Sequence, residues 1–321
     1  MAEQYTAAIG GVAFRRMPER LLVNVVGDDR VEFMQGMSSQ NIKALQPGMV
    51  SYGLVLTERA HVVADFYVYA RERDLVLEVD RKLWPRAKQQ LEKLIVADDV
   101  ELLEDEETGV LEILGPSAEF AIADALSDFL TTPQPGYYVA AEKLTVACFE
   151  RRGCRSFTAV GGSAALTNLV ARLTRDGAAT PAFEVTAEAL DIVRIENGVP
   201  CVGLDTDVKT IALEARLEPG ISFGKGCYLG QETIERISAH GQLKKRLFGL
   251  RVQADLKVER GAGVFLEGNE VGRVTSAALS PRLGSLALAI LHHSSWTPNT
   301  AVTVEDSRGR VAAVVSDLPF V

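Results

Sequence analysis

The stretch FGKGCYLGQE, residues 223–232, combines three glycines with a lysine and a cysteine just before a helical pattern. A glycine-rich turn at the start of a helix leaves backbone N–H groups free, so it can hold an anion or let a ligand approach the main chain. The glycines do not explain Cys227. A helix beginning one or two residues later and Lys225 two residues earlier would both favour its thiolate form. An anion-binding turn, a reactive thiol and a tight corner all remain open.

Glu196 is a second candidate, in the sequence RIENG. The segment TAEALDIVRIENGVP predicts a helix that ends at Asn197 and Gly198, because glycine supplies a left-handed cap and Pro200 cannot continue the helix. A glutamate there is either a solvated last-turn residue or a carboxylate that accepts paired N–H donors from a heterocycle. An aminopyrimidinone ring offers such a pair of donors, so the second alternative would make Glu196 the anchor of a pterin.

Other site chemistries lack a pattern in this sequence. GKGCYLG has no GKS or GKT, and its glycine spacing does not fit the dinucleotide fingerprint, which argues against nucleotide binding. His292 and His293 are neighbours in a predicted strand and should point to opposite faces, so the sequence predicts no metal site. The motifs of zinc and serine hydrolases are also missing.

Composition limits the class of protein. The chain has 321 residues, of which 47% are hydrophobic and 24% charged, and this length favours two or three domains over one core. A net charge of -9 argues against direct nucleic-acid binding. No apolar leader or membrane-length apolar run is evident, so the sequence predicts a cytoplasmic protein with no membrane partner. The sparse cysteines should be reduced, and all but Cys227 are read as small buried residues.

The pattern along the chain predicts an α+β protein in three parts. Residues 1–108 read as strand, helix, three strands, helix and strand, and residues 109–242 begin again with a similar strand–turn–helix. The pairing of VVGDDRVEF with EILGPSAEF suggests a duplicated unit. Residues 243–321 contain short strands between turn residues, which predicts a C-terminal antiparallel β-barrel.

Four segments together resemble one family. KGCYLGQE, FMQGMSSQNIKAL, RIENGVPCVG and VGRVTSAALSP are similar to segments of the folate-binding YgfZ/IBA57-type proteins, which are related to the glycine cleavage T-protein, an aminomethyltransferase. The resemblance implies two ferredoxin-like α/β units and the barrel around a central folate funnel. It also implies tetrahydrofolate or a derivative as ligand, and a role in iron–sulfur cluster assembly or repair, with client or assembly proteins as partners.

The resemblance also assigns residues. It implies that Cys227 is a functional thiol and that folate contacts come from Glu196, Lys225, Gly226, Tyr228, Gly230, Gln231, Glu232 and Arg246. Aminomethyltransferases carry an aspartate soon after the segment that matches LVLEVDRKLW, and none follows Asp80 here, which argues against aminomethyl transfer. A folate-dependent aminomethyl or methyl transferase is kept as the alternative function. Ala60 stands where relatives carry glycine, which predicts a different hairpin conformation there.

Overall fold

The computed structural model describes residues 1–126, 130–141, 143–178, 180–241 and 243–321. All strands of these residues lie in two open sheets and one closed barrel. The chain divides into two compact units. The first comprises Met1–Leu56, Val63–Ala189 and Gly220–Leu229. The second comprises Thr57–Val62, Leu190–Pro219 and Gly230–Val321.

The elements are as follows. The helices are α1 (Ala2–Gly10), α2 (Arg30–Met37), α3 (Trp84–Leu94), α4 (Ala118–Leu126), α5 (Ser163–Leu173), α6 (Ala187–Glu196) and α7 (Gln231–His240). The strands of the two sheets are β1 (Ala13–Arg16), β2 (Arg20–Val26), β3 (Val50–Leu56), β4 (Val62–Ala70), β5 (Leu75–Asp80), β6 (Glu101–Asp105), β7 (Thr108–Leu114), β8 (Tyr137–Ala141), β9 (Leu144–Arg151), β10 (Cys154–Gly162) and β11 (Phe183–Glu184). The strands of the barrel are β12 (Lys245–Val252), β13 (Gly263–Leu266), β14 (Asn269–Ser280), β15 (Gly284–His292), β16 (Ala301–Asp306) and β17 (Gly309–Ser316).

The first sheet has the strand order β3-β4-β5-β2-β6 and is covered on one face by α2 and α3. Alternation along β4 decides which side chains face these helices. Phe66 and Val68 lie in the same core cluster as Trp84 and Leu91 of α3. The residues that alternate with them on the strand, Asp65 and Tyr67, therefore project to the opposite face.

The second sheet has the order β11-β1-β7-β10-β9-β8, with α4 and α5 contributing to its core. Strand β1 pairs with β7 and β11, so the first strand of the chain joins this sheet rather than the one formed by residues 20–105. The boundaries 1–108, 109–242 and 243–321 stay a prediction.

The sheet faces that lack helices share a cluster within the first unit. Tyr67 and Tyr69 of β4 lie in this cluster with Val110, Phe149 and other residues of the second sheet. Tyr67 and Phe149 stack with their ring centroids 4.2 Å apart. The first unit is therefore layered as helices, sheet, sheet, helices.

The barrel closes in the order β12-β15-β14-β13-β16-β17, because β12 pairs with both β15 and β17. All of its recorded strand pairs are antiparallel. The predicted mixed α and β architecture and the C-terminal antiparallel barrel are confirmed. Ferredoxin-like topology and a folate funnel remain predictions.

The hairpin at Ala60 keeps a glycine-like backbone. Ala60 has φ of 59°, in the left-handed region, although it carries a β-carbon. The backbone N–H of Ala60 donates to Thr57 O at 2.8 Å, which closes the turn. Ala60 thus adopts a backbone conformation that glycine tolerates best, and a difference from the hairpin of relatives stays a prediction.

Among the residues that the structure describes, no helix is long and apolar enough to cross a membrane.

Candidate functional site

Lys225 anchors the glycine-rich segment to the end of α2. Its Nζ donates to the backbone oxygens of Gln35 (2.5 Å), Ser38 (2.7 Å) and Gln40 (2.7 Å), all within the first unit. In return, Nε2 of Gln35 donates to Lys225 O at 3.1 Å. Burial lowers the pKa of Lys225 to about 8. The lysine thus satisfies carbonyls where a helix ends, which are groups that need partners.

Cys227 lies exposed on this segment. Gly226 precedes it with φ of +96°, and a β-carbon there would meet no atom within 4 Å. Helix α7 begins at Gln231 with Gly230 as its N-cap, so three residues separate Cys227 from the first helical residue. The expectation that the thiol stands one or two residues before a helix is wrong. The effect of a helix dipole is confined to the terminal turn, and Cys227 lies outside that turn.

The other residues of the signature have varied surroundings. The ring of Tyr228 is half-buried, and Lys225 Nζ lies 5.1 Å from its centroid. Gln231 donates to Glu235 one turn later along α7, and Glu232 is exposed in the first turn. Lys225, Gly226, Cys227 and Tyr228 belong to the first unit, whereas Gly230, Gln231 and Glu232 belong to the second.

Glu196 is the last residue of α6 and is only 2% exposed. Its Oε1 accepts a hydrogen bond from Ser280 Oγ at the end of β14, and its Oε2 accepts one from Arg282 at 3.1 Å. Its backbone oxygen accepts from Phe320 N at 2.9 Å. Of the two alternatives for Glu196, the solvated last-turn glutamate is wrong, since this carboxylate is buried and hydrogen-bonded. Its role as a pterin anchor stays a prediction.

A buried ionic network is centred on Arg194, two residues before Glu196 on α6. Arg194 is 3% exposed and donates to Asp205 Oδ2 at 2.7 Å and to Ser276 Oγ at 2.9 Å. Asp205 Oδ1 accepts hydrogen bonds from Ser276 and from Thr275, both on β14. Since β14 also ends at Ser280, the network fixes α6 against the strand that supplies a partner to Glu196.

Arg246 lies near the start of β12, in the second unit. Its Nη2 donates to Glu218 Oε1 at 2.8 Å, while its Nε is buried without a hydrogen-bond partner. Arg216, with φ of 59°, lies over the Phe248 ring at 4.8 Å. Burial and the nearby charge of Arg246 lower the pKa of Arg216. Two neighbouring guanidinium groups can together attract an anion.

Asp65 is a carboxylate that the sequence patterns did not single out. It accepts a hydrogen bond from the hydroxyl of Tyr52 at 3.1 Å on the helix-free face of the first sheet. Burial raises the pKa of Asp65, against the lowering effect of Arg20 and of Tyr52. One signal could have found it, since a lone carboxylate interrupts the apolar run VVADFYVYA.

Charged side chains near Asp65 form a buried cluster. Glu78 is fully buried and pairs with Arg20 (2.8 Å) and Arg151 (2.7 Å), and it also accepts from Tyr69. The cations hold the pKa of Glu78 below its usual value, although burial acts in the opposite direction. An acid with a raised pKa beside a tyrosine and two arginines can exchange a proton, a feature that perturbed carboxyls often have at functional sites.

Two family descriptions match most of the chain. The GCVT N-terminal domain matches residues 17–225, and the glycine cleavage T-protein C-terminal barrel domain matches residues 245–321. The first covers more than half of the chain, and the second coincides with the closed barrel. A mixed α/β region followed by this barrel defines the class, and the chain belongs to the family of the glycine cleavage T-protein.

Relatives share about a quarter of their residues with the chain. A putative chloroplastic transferase of Arabidopsis thaliana is 26% identical over 305 residues, covering 93% of this chain and 68% of the relative. An aminomethyltransferase of a Picosynechococcus strain is 27% identical over 92% of this chain and 83% of its own length. The structure of glycine cleavage system aminomethyltransferase T from Bartonella henselae matches with a TM-score of 0.88 and 21% identity, over 99% of this chain and 89% of that one, which shows a shared fold.

Proposed function

We propose that the protein binds tetrahydrofolate or a derivative, with Glu196 as the anchor of the pterin ring. The observation that carries this proposal is the buried carboxylate at the end of α6 in a chain of the T-protein family. An ionised carboxylate only accepts hydrogen bonds, which suits the paired N–H donors of a 2-amino-4-oxopyrimidine edge. When bound, a reduced folate would supply nitrogens that carry one-carbon units.

The specific role that we propose is assistance in iron–sulfur cluster assembly or repair, as in the YgfZ/IBA57-type proteins. The resemblance of KGCYLGQE supports it, and the exposed Cys227 is compatible with contact between its thiol and a client or assembly protein. Lys225 supports this role by fixing the segment to α2 through three carbonyl groups. Gly226, Tyr228, Gly230, Gln231, Glu232 and Arg246 are retained as proposed folate contacts.

A second candidate is a folate-dependent aminomethyl or methyl transferase, and Asp65 favours it. Absence of an aspartate after Asp80 was the argument against transfer, yet Asp65 offers a half-buried carboxyl with a raised pKa on β4. Several relatives are named aminomethyltransferases. If this candidate is right, the purified protein will transfer an aminomethyl group from a lipoylated carrier protein to tetrahydrofolate, and Asp65→Asn will abolish the transfer. If the unaltered protein transfers no aminomethyl group, the transferase candidate is rejected and the iron–sulfur assembly role remains as the proposal.

Calorimetry with 5-formyltetrahydrofolate tests the binding proposal directly. Two fragments serve as comparison ligands, a reduced pterin without the tail and p-aminobenzoylglutamate without the pterin. We expect the whole ligand and the pterin to bind, because the anchor recognises the ring. No binding of the whole ligand would refute folate binding, and binding of the tail fragment alone would remove Glu196 from its proposed role.

A further inference from the structure

Glu196 and its two side-chain partners differ sharply in exposure. Glu196 is 2% exposed and Ser280 is 3% exposed, whereas half of the Arg282 side chain is in contact with solvent. The hydroxyl of Ser280 is fixed, since it donates to Glu196 and accepts from the backbone N–H of Arg282 (3.1 Å) and of Leu283 (2.9 Å). The carboxylate and the serine are thus held in place while the guanidinium reaches into water.

The free-energy cost of separating the pair also differs between Glu196 and Arg282. A buried carboxylate needs a donor or a cation, because leaving it unpaired carries a large desolvation cost. An arginine that is half in water loses little when it leaves its partner, since exposed ion pairs contribute little to stability. Arg282 can therefore depart from Glu196 provided that another group with N–H donors takes its place.

From this asymmetry we propose that Arg282 is a latch that covers the Glu196 carboxylate until a ligand with paired N–H donors displaces it. The inference rests on the proposed function, and it identifies the residue that sets access and selectivity at the anchor. A guanidinium and a 2-amino-4-oxopyrimidine edge both present parallel N–H donors, so one can replace the other on a carboxylate. Anions cannot make this exchange, because they offer no donors to the uncovered Glu196.

The turn between β14 and β15 is built to present the latch. Ser280 ends β14, and residues 281–283 form the turn that leads to β15. The two backbone N–H groups bonded to Ser280 Oγ flank the Arg282 Cα, so the same hydroxyl orients both the turn and the carboxylate. Arg282 thus starts from a fixed backbone position, and only its side chain needs to move.

The test combines two measurements, one without folate and one with folate. The first is labelling of Glu196 by a water-soluble carbodiimide and an amine, located by peptide mass spectrometry. The second is the affinity for 5-formyltetrahydrofolate by calorimetry. The variants are Arg282→Ala and Arg282→Gln, the second keeping a side chain of similar length in case the first disturbs the turn. Arg310→Ala is the control, because Arg310 forms an exposed pair with Glu305 on the same barrel.

We expect both Arg282 variants, but not Arg310→Ala, to increase Glu196 labelling at least about five-fold, because the covering cation is gone. Where folate binds, we expect affinity about three- to five-fold tighter in the Arg282 variants, the size of the exposed ion pair that the ligand no longer has to break. Unchanged labelling would overturn the latch whatever folate does. Unchanged or weaker folate binding by the Arg282 variants would also overturn it. Increased labelling with no folate binding by any protein would support the latch and refute the proposed function.

Discussion

Two carboxylates, the buried Glu196 and the half-buried Asp65, have surroundings that suit different chemical roles. Glu196 is fixed by a serine and covered by an arginine, so its place in the structure is that of an acceptor. Asp65 instead accepts from one tyrosine, and burial raises its pKa. The two residues therefore suit different tasks, recognition of donors by Glu196 and proton exchange by Asp65.

Glu196→Gln should weaken folate binding by roughly 2 to 4 kcal/mol, since an amide replaces a carboxylate and two charge-assisted hydrogen bonds are lost. Calorimetry measures the effect. Glu188→Gln is a suitable control, because Glu188 lies exposed in the first turn of the same helix. Equal affinity of the Glu196 variant and the unaltered protein would contradict the anchor.

Asp65→Asn should change the pH dependence of stability. Because the folded state holds the Asp65 proton more tightly than the unfolded chain, the unfolding free energy falls as pH rises from 3.8 through the raised folded pKa. Asparagine removes this loss, so the stability of the variant relative to the parent should rise over that window. Thermal melts between about pH 4 and 7 measure the difference. Asp98→Asn, at an exposed position, should show no such trend, and a flat difference for Asp65→Asn would contradict the prediction.

Cys227→Ser should leave the unfolding free energy within about 0.5 kcal/mol of the parent value, because the side chain is exposed. Under the proposed role it should also impair maturation of iron–sulfur enzymes in a complementation assay. Brief iodoacetamide treatment of the native parent should modify Cys227 and spare Cys148, which is buried. Cys154→Ser serves as the control, and full complementation by Cys227→Ser would reject a functional thiol.

At the scale of elements, strands and helix ends that depend on neighbouring residues could be predicted from the sequence. The strand β4 and the stop of α6 before Gly198 could be predicted, because both depend on neighbouring residues. The end of α2 could not be predicted, since the helical spacing continues to residue 45 but the helix stops at Met37. The Gln35 carbonyl in its last turn accepts from Lys225, 190 residues away in the chain, and so do two carbonyls just after the helix. The contacts of Glu196 with Ser280 and Arg282 could not be predicted either, because these partners lie 84 and 86 positions away in the chain.

Two glycines of the signature, Gly226 and Gly230, should differ in their tolerance of alanine. Gly226→Ala should cost about 1 to 2 kcal/mol, the penalty of a left-handed backbone, because its β-carbon would meet open space. Gly230→Ala should cost more, since its β-carbon would lie 2.7 Å from Thr57 O, a backbone atom that cannot easily move. Urea denaturation of both variants gives the comparison. Equal losses of unfolding free energy in the two variants would show that the turn containing Thr57 and Ala60 moves to accommodate the new β-carbon.

At the scale of the whole molecule, the chain builds each unit from segments that are distant in sequence. The second unit combines the barrel with Thr57–Val62 and Leu190–Pro219. Its buried Asp205 joins Arg194 of α6 to Ser276 of β14. The barrel could be predicted from the spacing of its strands. The assembly of the second unit from distant segments could not, because it depends on long-range contacts that local sequence patterns do not encode.

Asp205→Ala should destabilise the second unit by about 3 to 5 kcal/mol, because the buried Arg194 would keep only Asp191 as a carboxylate partner, and the Cys201 N–H and the Ser276 hydroxyl would lose their acceptor. Adding Arg194→Met should restore part of the loss, since the incompletely paired buried charge is removed. Urea denaturation followed by circular dichroism measures both. A loss below about 1 kcal/mol in the single variant would mean that water reaches Arg194.

The position of β1 has a consequence for synthesis on the ribosome. Residues 13–16 leave the exit tunnel early, but their partners in β7 and β11 lie about 100 and 170 positions later. The strands of the first sheet between residues 20 and 105 can pair meanwhile, because folding proceeds as segments emerge. Strand β1 must therefore stay unpaired until β7 emerges, and its edge towards β11 stays open until translation has passed Phe183. A chaperone that acts during translation could bind the β1 segment while its partner strands are still missing.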